Sequence, residues 1–393
     1  MDSEKPRRRR TIRTFAAASF FNDMGSDMIA PIWPLFVTQI LKANMTALGF
    51  LDGLGEAVVS LSQAGSGYLS DKWRKRKIFI WTGYLCGALS RFGYAVSAVW
   101  THLIPFRILD RAGKIRGAPR DAVVADISTR ADRGRHFGLL RAMDHLGAVC
   151  GILLCAFLFN ILGFRLLFAL AAVPSLAGVF LILRNIQEPA KSDARAFKGL
   201  SFRDIGRNLR LYVALNAVFA LGAFSYSFLL VLARTSGVGD SKLPFLYLIF
   251  AITAAALSWP FGRLADKVGR KPVLFAALAL WGCVCVGAIT GAGKALIVIP
   301  IFILFGAHKA ALEPAQKTLA AELAPLDYRA SVLGAFQMVI GLSALPASLA
   351  AGILWDRIAL WAPFSLSLVL TAAAAILLIF VRESPRLPSS ESD

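Results

Sequence analysis

Four stretches of the chain carry ionisable side chains one helical turn apart, each within otherwise apolar sequence. Asp23 and Asp27 stand at i and i+4, as do Asp52 and Glu56. Arg107, Asp110, Arg111 and Lys114 follow at i, i+3, i+4 and i+7, and Arg141, Asp144 and His145 at i, i+3 and i+4. On a helix each set falls on one face. A carboxylate beside a movable cation can take up and release a proton as water reaches it or leaves. The same spacing also suits a permanent ion pair that ties helices together. For Asp27, which falls about halfway along its apolar stretch with Arg111 and Lys114 at similar depth, both readings stand. Arg120, Asp121 and Arg141 lie near stretch ends, where gate or packing pairs are expected. Arg91 is mid-stretch, with Asp52 or Glu56 as candidate partners. His145 is either a group that titrates near neutral pH or a packing histidine.

The second half of the chain is drier. Its notable polar residues are Tyr226, His308, Lys309, Glu313, Lys317 and Gln337, and Glu313 precedes Pro314, where local distortion would expose a carbonyl. No nucleophile–base pair or metal motif of familiar spacing appears, so neither an enzyme nor a cofactor is expected. Asp23 and Asp27 suggest divalent-metal transport, but no His or Cys joins them on that segment. The cysteines, Cys86, Cys150, Cys155, Cys283 and Cys285, all sit in apolar runs and read as small core residues.

The elements that must position these groups are membrane helices. Hydrophobic residues make up 57% of the 393 and charged residues only 17%, where a soluble domain carries about a quarter charged. The apolar residues come in runs of roughly 20, the length that crosses a bilayer. Backbone in lipid must satisfy its own hydrogen bonds, so such runs are helices, and the alternation of a β-barrel is absent. Spans are expected near 14–41, 46–69, 78–98, 101–127, 137–162 and 165–183, then near 209–233, 243–264, 272–291, 294–320, 332–355 and 360–381. A basic segment 1–13, a polar linker 184–208 and a tail 382–393 lie outside the two sets.

The net charge of +19 does not indicate nucleic acid, because Arg and Lys concentrate in short alternate loops rather than on one soluble face. Arg7–Arg10, 72–77, 130–135, the linker and 267–271 are the basic segments, which places them and both termini in the cytoplasm. The first apolar run is too long for a secretory signal.

The two sets repeat. Gly67-Tyr-Leu-Ser-Asp71-Lys-Trp-Arg74-Lys-Arg-Lys77 matches Gly262-Arg-Leu-Ala-Asp266-Lys-Val-Gly-Arg270-Lys271 at an offset of 195 residues, and Ala118-Pro119-Arg120-Asp121 matches Glu313-Pro314-Ala315-Gln316 at the same offset. A six-span unit repeated at constant offset implies two similar bundles with a pathway between them.

Both copies resemble the signature loop of the major facilitator superfamily, G-x-L-a-D-r-x-G-r-k, with Arg74 standing in the first where Gly269 stands in the second. Gly138, Gly147 and Gly151 also match the spacing of the superfamily's antiporter motif, although Ile152 replaces its proline and Cys155-Ala156 its glycine pair. The resemblance implies an all-α fold of two pseudo-symmetric six-helix bundles, with the first and fourth spans lining the pathway. Asp23, Asp27, Arg107, Asp110, Arg111, Lys114 and Asp144 are then the expected proton-coupling or substrate residues. Glu56, Arg141, His145, Tyr226, His308, Lys309 and Glu313 are secondary candidates. The expected latch of the cycle is Gly67, Asp71 and Arg74 with Gly262, Asp266 and Arg270, the two glycines allowing close packing and the two aspartates facing helix N-termini. The implied function is proton-coupled alternating-access transport of a small organic solute by a monomer in the cytoplasmic membrane, with export slightly preferred. Uptake of an organic anion or siderophore-like metal chelate is the alternative. A non-transporting membrane sensor is the alternative of another class, although the short polar tail argues against it.

Overall fold

The computed structural model describes residues 4–73, 75–128, 132–188, 206–291, 293–325 and 329–383, and all their regular structure is helical. Each expected span is helical. The first is α1 (Glu4–Asp27), broken over residues 28–32 and resumed as α2 (Trp33–Leu35) and a π-helical turn over Phe36–Ile40. α3 (Met45–Trp73) and α4 (Lys77–Val96) are the second and third spans. The fourth is α5 (Leu103–Ala112), a 3₁₀ turn over Gly113–Arg116 and α6 (Gly117–Ile127). The fifth and sixth run together as α7 (Arg133–Asn185).

In the second half, α8 (Arg207–Gly222) and α9 (Ser227–Thr235) form a broken seventh span. α10 (Leu243–Val268), α11 (Arg270–Thr290), α12 (Ala295–Leu323), α13 (Arg329–Arg357) and α14 (Ala362–Phe380) complete it. The breaks in the first and seventh spans begin 195 residues apart, at Met28 and Ala223, so the interruption belongs to the repeat. Broken helices leave backbone groups without helical partners, which is tolerated at membrane depth only where protein or a cavity supplies them.

Seven of these helical stretches are long and apolar enough to cross a membrane by length and composition. One of them, 51 residues long, would extend about 77 Å at 1.5 Å per residue, more than twice a ~30 Å bilayer core. It turns back at Gly163, where φ is +65° and only glycine sits without strain. The first four expected spans are absent from the seven. Asp52 and Glu56 on α3, Arg91 on α4 and the break between α5 and α6 dilute their apolar character. The basic N-terminal segment is not separate from the first span, since α1 runs unbroken from Glu4. Arg8 pairs with Asp132 at 2.9 Å, and Arg10 donates to Asn185 at 2.6 Å.

The halves meet where α3 packs along α13 and α7 along α10. At the end remote from the termini they are fastened together. Asp356, at the end of α13, accepts from the backbone N–H of Met45 (3.1 Å) and of Thr46 (2.7 Å) and from the Thr46 hydroxyl (2.6 Å), capping α3 from the other bundle. The α3–α13 seam is lined by glycines. A Cβ on Gly53 would lie 2.7 Å from Leu345 Cα, and one on Gly49 2.8 Å from the Ser348 carbonyl carbon. One on Gly352 would lie 2.6 Å from Thr46 Cα.

At the termini end Arg76 pairs with Asp126 within the first half and Arg270 with Glu322 within the second. The expected close packing at Gly262 is not seen there, since a Cβ on it would meet nothing within 4 Å. Asp266 does not cap a helix either; it pairs with Arg270 at 3.1 Å, while Arg270 also reaches Glu322 at 3.0 Å. The caps come from further along the chain. Glu383 accepts from the N–H groups of Arg270 (2.6 Å) and Lys271 (3.3 Å). Glu188 accepts from those of Arg76 (2.5 Å) and Lys77 (3.2 Å). These two carboxylates, again 195 residues apart, hold the N-termini of α11 and α4 where the dipole favours negative charge. Arg74, the side chain of Asp71, the surroundings of Gly67 and most of the linker and tail lie outside the described residues. In the second copy the chain turns on Gly269 alone, at φ +107°, a conformation an arginine would resist.

Candidate functional site: a charged and aromatic cavity between the halves

Three adjoining cavities of about 240, 400 and 540 Å³ follow the interface between the bundles. The smallest is lined by Asp27, Glu56, Asp110, Arg111 and Lys114 from the first half, with Tyr226 and Tyr247 opposite. The second opens from it toward the other bundle, where Phe219, Phe224, Phe250 and Phe305 form an apolar wall around Lys309 and Glu313. The third lies toward the termini end and holds Asp23, Asp121, Arg120, Arg141 and Asp144, with Lys317 across from them.

Asp27 is the last residue of α1, directly before the break, and it is half-buried. The expected meeting with the basic face of the fourth span occurs only as shared lining of a cavity. No ion pair or hydrogen bond joins Asp27 to another described side chain, so the permanent Asp–Arg tie is not what this residue forms. Asp23, one turn earlier, accepts from the Asn22 amide at 2.8 Å. Lys114 stands in the 3₁₀ turn of the fourth span, half-buried and without an acid in ion-pair range.

The other cations of that face are committed. Arg107, expected to serve protons or substrate, is buried in an ion-pair cluster on the wall of the two smaller cavities. It pairs with Asp52 at 2.7 Å, donates to the Leu51 carbonyl at 3.3 Å and lies 4.5 Å over the Trp33 ring, whose N–H also donates to Asp52 at 2.9 Å. The reason is geometric: α5 packs on α3 at the depth of Asp52, and a buried carboxylate needs a donor there. Asp110 and Arg111 contact each other at 3.5 Å, and Arg111 reaches Glu56 at 3.9 Å. Arg116, unremarked in the sequence, donates to the Gly113 carbonyl at 2.9 Å and lies 4.9 Å over the Tyr84 ring.

Arg91 is buried and pairs with neither Asp52 nor Glu56. It donates to the Ala171 carbonyl (3.0 Å), the Asn22 carbonyl (3.3 Å), the Ser26 hydroxyl (2.8 Å) and the Ser175 hydroxyl, pinning the third span to the first and sixth. Toward the termini end, Arg120 pairs with Asp121 at 3.0 Å and donates to Ser19 at 2.7 Å. Asp144 is shared between Arg120 (3.8 Å) and Arg141 (3.6 Å).

Two candidate histidines lie outside the cavity linings. His308 is buried beside Trp281, Phe305 and Phe219, with Nδ1 2.8 Å from the Ala277 carbonyl, and it lines none of the three cavities. His145 is exposed on α7 and also lines none of them. Tyr226 stands at the break of the seventh span and donates to the Ala30 carbonyl in the break of the first at 3.3 Å, so the two interruptions touch across the halves. Gly147 and Gly151 of the antiporter-like spacing do pack closely, each facing α1 backbone at Phe20 and Met24, whereas Gly138 faces open space.

Two bundles repeated in sequence and structure around a charged central cavity are the architecture of a membrane transporter. The profile of the Major Facilitator Superfamily matches residues 15–241 and 212–393, and the chain belongs to that superfamily. An MFS-type transporter of Methanocaldococcus jannaschii is 35% identical over 373 residues, 92% of each chain. The multidrug resistance protein MdtH of Cronobacter sakazakii is 25% identical over 74% of this chain and 76% of its own. Among solved structures, the nucleoside transporter NupG aligns with a TM-score of 0.75 at 14% identity, over 94% of this chain and 97% of that one. A bacterial homologue of the human lysosomal transporter Spinster, in an inward-facing and unoccupied conformation, aligns with a TM-score of 0.71 at 15% identity, over 96% of both. These two share the fold.

Proposed function

We propose that this member of the superfamily moves a small organic solute by alternating access, with Asp27 as the group that carries the coupled proton. The observation behind the proposal is an unpaired carboxylate at a helix break, in a cavity that lies between two bundles fastened to each other at the end remote from the termini. The basic loops favour a cytoplasmic position for the termini end; on that reading this conformer is open inward, and rocking about the cavity would open the other side. Asp23, Asp110, Arg111, Lys114 and Asp144 complete the hydrated charged wall, with Glu56, Arg141, Tyr226, Lys309 and Glu313 around it. Gly67, Asp71 and Arg74 with Gly262, Asp266 and Arg270 serve as the latch that engages when the termini end closes, which gives the open space beside Gly262 a purpose. Export through the cytoplasmic membrane by a monomer is the direction the multidrug-resistance relatives favour. Uptake of an organic anion is the second reading, favoured by the unpaired Lys114.

Purified protein in liposomes with the trapped dye pyranine tests the coupling. Added aromatic carboxylates and amphiphilic cations should provoke proton movement with wild type, and Asp27→Asn should abolish it while leaving the fold intact. Wild-type solute movement indifferent to an imposed pH gradient would refute proton coupling.

A further inference from the structure

Lys114 and Lys309 are 195 residues apart, so the repeat places them at the same position of the fourth and tenth spans. Equivalent positions in two bundles related by a pseudo-two-fold axis lie at equal depth on opposite sides of the pathway. Both lysines are half-buried, and each lines one of the two adjoining mid-depth cavities. Neither has a carboxylate within ion-pair distance among the described residues. Lys309 approaches only the Phe305 ring, at 5.9 Å, although Glu313 follows it by one turn. Arg107 and Arg111 beside them are bound to acids, and Arg116 to a carbonyl and a ring. The acids that face Lys114 are Asp23, Asp27 and Asp110, with Glu56 on the wall of the same cavity, and Glu313 faces Lys309; none bridges the two lysines.

An ammonium group left unpaired in a partly dehydrated cavity costs free energy, and an anion between two such groups offsets it twice. We propose that Lys114 and Lys309 form a two-sided clamp for the acidic part of the solute, and that the transported molecule is an organic anion whose aromatic or apolar body lies against the Phe219–Phe250 wall. The inference rests on the transporter reading and deepens it. Because the clamp takes one residue from each bundle, the bound anion favours whichever conformers bring the bundles together around it, which is the differential affinity that drives occlusion.

Isothermal titration of the purified full-length protein with naphthalene dicarboxylate, naphthoate and the uncharged naphthamide tests this. Wild type should bind the two carboxylates and bind naphthamide at least tenfold more weakly. Lys114→Gln and Lys309→Gln should each weaken naphthoate binding by about 10- to 100-fold, the loss of one charge-assisted contact. Lys114→Arg and Lys309→Arg should recover most of it, and Lys294→Gln, in the remote loop between α11 and α12, should change nothing. Unliganded melting temperatures show whether each variant folds. The clamp is overturned if neither carboxylate binds, if naphthamide binds as well as naphthoate, or if only one of the two lysines matters. Because binding is read at equilibrium, these outcomes are independent of proton coupling: loss of pH-driven transport with naphthoate binding intact sinks the coupling and spares the clamp.

Discussion

Replacing Gly53 with valine should tip the molecule away from the conformer seen here. Gly53 faces α13 at the fastened end, and the first atom of any side chain placed on it would lie 2.7 Å from Leu345 Cα, 2.8 Å from the Ala344 carbonyl oxygen and 3.0 Å from that of Leu345. These are backbone atoms of a continuous helix, so relief requires the whole seam to part. Forcing extra methyls into such a contact costs roughly 1–3 kcal/mol. The cost falls only on conformers in which the seam is shut, so it shifts their ratio to seam-open conformers by about 5- to 150-fold. A single cysteine at Ser225, which lines the 400 Å³ cavity, reports the shift in a variant lacking the five native cysteines. A membrane-impermeant maleimide should label it mainly from the termini side in the parent. Gly53→Val should lower that rate and raise labelling from the opposite side. Gly334→Val, on the same helix α13 but facing open space, should leave the pattern unchanged. A folded Gly53→Val protein labelled like its parent would show that the seam does not govern access.

Asp356→Ala should push labelling in the same direction, since it removes a cap worth about 1 kcal/mol from α3 only when the seam is shut. Arg107→Ala should lower the unfolding free energy by about 3–5 kcal/mol, because it strands buried Asp52; the double variant Arg107→Ala/Asp52→Ala should recover much of the loss in a denaturation series. Arg91→Lys should lower the melting temperature although the charge is kept, because one ammonium cannot reach four acceptors on two other spans. Glu383→Gln, tested the same way, should cost no more than about 1 kcal/mol, the worth of a charge at a helix N-terminus.

The helical stretches were legible because hydrocarbon length and loop charge are one-dimensional properties. The offset of 195 residues was equally readable, and it carried more than was taken from it. Glu188 and Glu383 stand at that offset just beyond the sixth and twelfth spans, and comparing the halves position by position would have marked both as helix caps. The fate of individual charges was not legible. Spacing put Arg107, Arg111 and Lys114 on one face, yet at successive depths that face meets Asp52 of α3, then Glu56 of α3, then open cavity. Which neighbour a side chain meets depends on how helices cross, and periodicity says nothing about crossing. Asp356 was invisible for the same reason, since an acid at a helix end looks like solvated surface until a helix start from the other bundle is placed beside it.

The repeat also separates what the fold needs in duplicate from what the chemistry needs once. At the offset of 195, Asp27 corresponds to Gly222, Asp110 to Phe305 and Arg111 to Gly306, so most of the charged wall has no counterpart and the second bundle presents aromatic rings instead. Capping carboxylates, helix breaks and one cavity-lining lysine survive in both halves. Caps and breaks are needed by each bundle as a body that must fold and rock. A lysine is not, for an unpaired cation stabilises neither bundle. Its presence at the same depth in both is what a solute gripped from two sides would require, whereas a single proton site can sit on one side alone, as the one proposed at Asp27 would.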